Sequence, residues 1–145
     1  MKCWFGAVAL DDDVTMQLNE YGIIAFYEWN NLSQRFSNFE SDVFQIMPNH
    51  MHGVIVLNEH YGERAGVNTA PTIGDIVGAY KSLVANRCLE IYKSKYAGEN
   101  QRAMGKLWQR NYYEHIIRNE ASHRAIADYI IHNPAKWQDD KFYIK

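Results

Sequence analysis

His50 and His52 stand two residues apart in the run Met47-Pro48-Asn49-His50-Met51-His52-Gly53-Val54-Ile55-Val56. The run is rich in Val and Ile, as a buried strand is, and side chains at i and i+2 of a strand share a face. The two imidazoles therefore project in parallel as a two-nitrogen claw for a divalent metal, while Met51 and Gly53 point the other way. Neutral imidazole is the commonest protein metal ligand. The same pair could equally serve as hydrogen-bonded surface groups or as groups supporting another ligand.

A second pair lies near the end of the chain. In Ala127-Asp128-Tyr129-Ile130-Ile131-His132-Asn133-Pro134, Tyr129 and Asn133 are spaced i, i+4, which stacks them on one face of a helix. A phenol and an amide oxygen so placed can face a metal together, the amide as ligand and the phenol as nucleophile. The plainer reading is a half-buried packing tyrosine and an asparagine that ends a helix before proline.

The elements that would position these groups follow from patterning. Residues 4–18, broken by Asp11-Asp12-Asp13, read as a β-hairpin with an acidic turn. Residues 18–36 carry Ile23, Ile24, Phe26, Tyr27, Trp29 and Leu32 at helical spacing. Residues 43–47 and 51–57 form strands on either side of a Pro48-Asn49 turn, and residues 59–70 form a loop. A helix runs over 72–93 on the stripe Ile73, Ile76, Val77, Tyr80, Leu83, Val84, Arg87 and Ile91, with Thr72 as N-cap and Asp75 at N3. Residues 94–104 form a polar, basic loop, 107–117 an aromatic-rich strand, and 122–133 the last helix, stopped by Pro134. Strands and helices in this order predict an α+β fold, an antiparallel sheet with helices packed on it, of which the ferredoxin-like arrangement is the natural candidate.

The chain's 145 residues suit one domain, 1–145. No run approaches the roughly 20 apolar residues of a membrane span, and no signal-peptide pattern opens the chain. Cys3 and Cys88 form neither a disulfide framework nor a zinc spacing, so a cytoplasmic setting is expected. The net charge of -2 conceals an asymmetry: residues 1–80 carry a balance of -7 and residues 81–145 one of +5. That distribution is compatible with one basic face for a polyanion, although Lys81, Arg87, Lys93 and Lys95 could simply solvate the outer face of a helix.

Three motifs occur together and in order: Met47-Pro48-Asn49-His50-Met51-His52-Gly53, Trp108-Gln109-Arg110-Asn111-Tyr112-Tyr113-Glu114-His115-Ile116-Ile117-Arg118, and Tyr129-Ile130-Ile131-His132-Asn133-Pro134. Over nearly the whole chain they resemble the single-tyrosine HUH transposases, in particular the REP-associated tyrosine transposases, where HUH denotes His-hydrophobic-His. The resemblance implies a divalent metal, Mg²⁺ or Mn²⁺, bound by His50, His52 and Asn133. It implies Tyr129 as the nucleophile that joins covalently to single-stranded or hairpin DNA as a 5′-phosphotyrosine. Tyr112 and Tyr113 are competing nucleophiles that lack a helical amide partner. Mixed nitrogen and oxygen ligation suits Mn²⁺ somewhat better than Mg²⁺. Around the aromatic motif, Arg102, Lys106, Arg110 and Arg118 are the candidate DNA-binding residues, and Trp108 and Tyr112 are either stacking platforms or core residues. No partner membrane is expected, and a homodimer is compatible with the sequence. Family members carry a further strand upstream of the segment resembling Cys3-Trp4-Phe5-Gly6, where this chain starts. The expected sheet therefore lacks that N-terminal strand, which would leave an unpaired edge.

Two other readings stand beside this one. The same fold could bind hairpin DNA without cutting it. Alternatively, His50 and His52 could serve a metal-dependent hydrolase with water as nucleophile, a reading weakened by the absence of recognisable carboxylate ligands in the sequence.

Overall fold

A computed structural model describes residues 2–58, 70–98 and 103–144. Strands β1 (Gly6–Ala9) and β2 (Thr15–Leu18) pair antiparallel around the acidic turn, as expected. Helix α1 (Glu20–Asn30) follows at once. Its N-cap is Asn19, whose side-chain oxygen accepts from the Tyr21 and Gly22 amides while its nitrogen donates to the Trp4 carbonyl at 2.8 Å. One side chain thus ends the hairpin, starts the helix and ties the two together. The helical pattern over 18–36 is interrupted at Asn31, after which a single turn, α2 (Leu32–Arg35), leads to the second hairpin.

That hairpin, β3 (Phe39–Ile46) with β4 (Met51–Leu57), carries the histidines. A bulge sets two residues, Asp42 and Val43, opposite Val54. An extra residue reverses the facing of everything beyond it. Ser41 and Phe44 consequently lie on one face, where Ser41 Oγ accepts from Trp29 Nε1 at 2.8 Å and the Phe44 ring stacks on Trp29 at 4.1 Å. Helix α3 (Ile73–Lys95) begins with the expected capping box, Thr72 with Asp75, and packs along α1. Helix α4 (Glu120–Ile131) is capped by Asn119 and leads through His132 and Asn133 into a 3-10 turn, Pro134–Asp139.

The fold is α+β, and the described residues form two separate two-stranded antiparallel sheets. Trp29, Phe39, Ile76, Tyr80, Val84 and Cys88 belong to the core that joins α1 and α3 to the hairpins. The Tyr80 hydroxyl donates to the Ala25 carbonyl at 2.8 Å and approaches Met51 Sδ at 3.3 Å, so Met51 faces the helices. Glu28, 2% exposed, receives Arg87 at 2.6 Å and Arg35 at 3.4 Å, which ties α1 to both α3 and α2. Helix α4 packs against β3 and β4 from the opposite face, where its His123 is hydrogen-bonded to Asp42 of the bulge. Among the described residues no helix is long and apolar enough to cross a membrane.

One expected element is corrected: residues 107–117 form no strand. They run as an irregular strap over α3. Trp108 Nε1 donates to the Lys81 carbonyl at 2.9 Å, Lys81 Nζ donates to the Gln109 carbonyl at 3.1 Å, and the Trp108 ring packs on Phe5 and Tyr80. The aromatic residues that mimic a strand are used here to dock an irregular segment, because β-propensity reports packing on a half-buried surface rather than an intrinsic backbone preference. The expected loop over 59–70 lies outside the described residues except for Ala70, as does part of the loop over 94–104.

Gly53 makes possible the close approach of the core to the histidine strand. A Cβ there would meet Trp29 ring carbons at 2.8 and 2.9 Å. Trp29 also packs against Phe44, Phe39 and Tyr80, contacts that a retreat from Gly53 would disturb. Gly53→Ala is expected to destabilise the protein by about 1–3 kcal/mol through overpacking, read as a lower urea midpoint at unchanged m-value. An unaltered midpoint would mean that Trp29 is loosely held.

Candidate functional site

The strand alternation places His52 on the face of β4 opposite Met51 and Gly53, and His50, in the turn just before β4, meets it there. Their Nε2 atoms lie 3.1 Å apart. Ligands at adjacent positions of an octahedral ion with bonds of ~2.1 Å are separated by about 3 Å, so the pair has the spacing of a metal claw. The third group is Asp140, whose Oδ2 lies 3.6 Å from His50 Nε2. One ligand atom from each of His50, His52 and Asp140 falls within 4.8 Å of the others.

Asp140 arrives from the segment that follows the 3-10 turn. Its Oδ1 accepts from the Phe142 amide at 2.7 Å, and its backbone N–H donates to the Trp137 carbonyl. This leaves Oδ2 for the histidines. Phe142 and Trp137 pack around the His50 ring at 4.9 and 6.0 Å, which shields the imidazole from water. Burial, assisted by His52 and by Lys141 and opposed by Asp140, pushes His50 down to about 4. Burial also lowers His52, again with Asp140 opposing and Lys141 reinforcing. Both rings are therefore neutral near pH 7, each with one ring nitrogen that carries a lone pair and one that carries a proton.

This shift has a consequence for stability. Histidine in the unfolded chain titrates near 6.5, so between that pH and about 4 the unfolded state takes up a proton that native His50 refuses. Stability of the metal-free protein is expected to be full above pH 6.5 and to fall progressively as the pH drops towards 4. Thermal midpoints at pH 7 and 4.5 read this directly. A wild-type midpoint that drops no further than that of the His50→Gln variant would contradict it.

Tyr129 is 54% exposed, and its ring meets the His52 ring edge-on at 5.7 Å. The nucleophile candidate therefore sits at the solvent rim of the histidine cluster. Helix α4 is held there by the His123–Asp42 pair at one end and by buried Ile130 near the other. Asn133, the expected partner of Tyr129, follows the end of the helix with backbone angles that are still helical. Helix α4 ends at Ile131, the Asn133 amide turns to the Ile130 carbonyl, and the Asn133 residue is 2% exposed with its side-chain nitrogen unpartnered among the described residues. The rival tyrosines lie elsewhere. Tyr112 packs beneath Lys81 of α3, with its hydroxyl near Gly74, and Tyr113 is 92% exposed.

Lys106, Arg110 and Arg118 are exposed on the strap and its continuation into α4, and Arg102 lies outside the described residues. Trp108 is a packing residue against Phe5 and Tyr80, which leaves its ring engaged with the core. Sequence reasoning missed Asp140, Asn49 and Lys141. The acidic Asp139-Asp140 step set between Trp137 and Phe142 was the available signal for the first of these. It places a carboxylate beside the histidines where the sequence offered no recognisable one.

These features define an α+β protein with a His-x-His strand centre closed by a carboxylate and flanked by a helix-borne tyrosine. The chain belongs to the same family as an uncharacterized protein of Haemophilus influenzae, with which it is 34% identical over 155 aligned positions, covering 99% of this chain and 79% of the relative. It is also similar to a protein of the same organism named "Putative REP-associated tyrosine transposase", at 26% identity over 92% of this chain and 70% of that protein. No protein-family model matches the chain, and no solved structure matches it significantly.

Proposed function

We propose that this protein is a metal-dependent transesterase of the tyrosine transposase type, which cleaves and rejoins single-stranded DNA near hairpin structures. The observation that carries the reading is the Tyr129 ring edge-on to His52 at the rim of the His50, His52 and Asp140 cluster. The similarity to the named transposase supports it.

His50, His52 and Asp140 would hold a divalent ion, Mn²⁺ or Mg²⁺; their neutral nitrogens and carboxylate oxygen fit such an ion. When bound, the ion supplies charge neutralisation and polarisation at a phosphate oxygen. The Tyr129 phenolic oxygen attacks phosphorus, forming a Tyr–O–P bond as the bond to the 3′ oxygen breaks. The phenolic proton passes to solvent at this exposed position, and the departing oxygen takes up a proton to become a 3′-hydroxyl. The 5′-phosphotyrosine retains a phosphodiester, so attack by another 3′-hydroxyl releases Tyr129 and rejoins DNA without ATP. Lys106, Arg110 and Arg118, together with Arg102, would bind backbone phosphates.

The Asp140 carboxylate also favours a second reading, a metal-dependent hydrolase in which water attacks instead of Tyr129. The test is incubation of the full chain with an end-labelled, hairpin-flanked oligonucleotide and Mn²⁺, followed by denaturing electrophoresis. A labelled species at the size of the protein is expected. Cleavage without that species favours the hydrolase, and retention on a native gel without cleavage favours a hairpin-binding module.

A further inference from the structure

We infer that Asn49 is a positioning residue that sets the tautomer of His50 and holds the Asp140 turn against it. The argument begins at an acceptor of fixed character. Asn49 Nδ2 donates to the Phe142 carbonyl at 2.8 Å, across 93 positions of sequence. A carbonyl oxygen can only accept, so the amino end of the Asn49 amide must face it. The oxygen end then faces His50 Nδ1, 2.8 Å away. An amide oxygen can only accept, so His50 must carry its proton on Nδ1. Its Nε2 is left with a lone pair, and Nε2 is the atom that faces His52 and Asp140.

The same bonds form a relay that links His50 to Asp140. His50 donates to Asn49, Asn49 donates to the Phe142 carbonyl, and the Phe142 amide donates to Asp140 Oδ1. Asp140 Oδ2 is left facing the His50 Nε2 lone pair at 3.6 Å, two acceptors with no proton between them, as two ligand atoms of one cation would stand. Asn49 is 7% exposed, so water does not substitute readily for either partner. Its neighbours in the turn are fixed as well: the Pro48 carbonyl accepts from the Phe5 amide, and the Met47 amide donates to the His50 carbonyl. An aspartate here would still accept from His50, but it would set a second acceptor against the Phe142 carbonyl. The asparagine is the side chain that serves both ends.

This role rests on the metal reading above, and the test separates the two. Long-range ¹H–¹⁵N spectra of the metal-free full chain read the His50 tautomer, and isothermal titration reads Mn²⁺ affinity. Wild type is expected in the Nδ1–H form. Asn49→Ala is expected to lose that preference and to bind Mn²⁺ about 10- to 100-fold more weakly, as removal of groups that orient metal ligands does. Asn49→Asp is expected to keep the Nδ1–H form yet still bind Mn²⁺ more weakly, a split that general destabilisation would not produce. Wild-type His50 in the Nε2–H form would overturn the inference whatever the variants do, as would Asn49→Ala with unchanged tautomer and affinity. A wild-type Nδ1–H form without Mn²⁺ binding would uphold the hydrogen-bond role of Asn49 and overturn the metal reading.

Discussion

Tyr129→Phe is expected to abolish the covalent protein–DNA species entirely while leaving the fold, Mn²⁺ binding and DNA binding close to wild type. Phenylalanine keeps the ring that lies edge-on against His52 and removes only the oxygen. That oxygen belongs to a residue 54% exposed, and no hydrogen bond buries it among the described residues, so the stability change should be about 1 kcal/mol or less. The chemical loss is of a different order. Without a nucleophilic atom no phosphotyrosine can form. Tyr112→Phe and Tyr113→Phe serve as controls and should retain the adduct, since the first packs against α3 and the second projects into solvent. Persistence of a denaturation-resistant adduct in Tyr129→Phe would refute the nucleophile assignment. Cleavage that survives the substitution without an adduct would transfer the function to the hydrolase reading.

The second large effect is expected from the doubly substituted variant His50→Ala, His52→Ala. With both imidazoles gone, Asp140 alone remains of the three clustered ligand groups. Mn²⁺ affinity should fall by more than the ~10- to 100-fold seen when only an orienting partner of a ligand is removed. The fold should survive, because β4 is held by its ladder with β3 and by Met51 and Gly53 on the opposite face. Titration calorimetry with circular dichroism as a folding check decides the matter. Affinity equal to wild type would remove the metal centre from the proposal. Asp140→Ala and Asn133→Ala complete the comparison. A loss confined to the former leaves His50, His52 and Asp140 as the ligand set, whereas an equal loss in both adds the buried amide to it.

Much of this protein was legible from local pattern because the relevant physics is local. Alternation along residues 51–57 determined which side of β4 faces the helices, and the observed strand has those bounds. Thr72 and Asp75 announced the start of α3 because a capping box is closed within one turn. The acidic turn between β1 and β2 was equally plain. Tertiary structure alone decided the rest. Asp140 reaches His50 through a turn 90 positions away, and the contact depends on Asn49 and Phe142 meeting across the same gap. No periodicity spans such a separation, since side-chain spacing records which face a residue occupies and not which distant segment closes over it. The strap over 107–117 misled for the same reason: its aromatic residues met the demand for apolar packing that a strand also meets, and their partners on α3 and in Phe5 are visible only once the chain is folded. The burial of Asn133 beyond the end of α4, beside an exposed Tyr129, was likewise decided by tertiary packing, where the chain enters the turn that delivers Asp140.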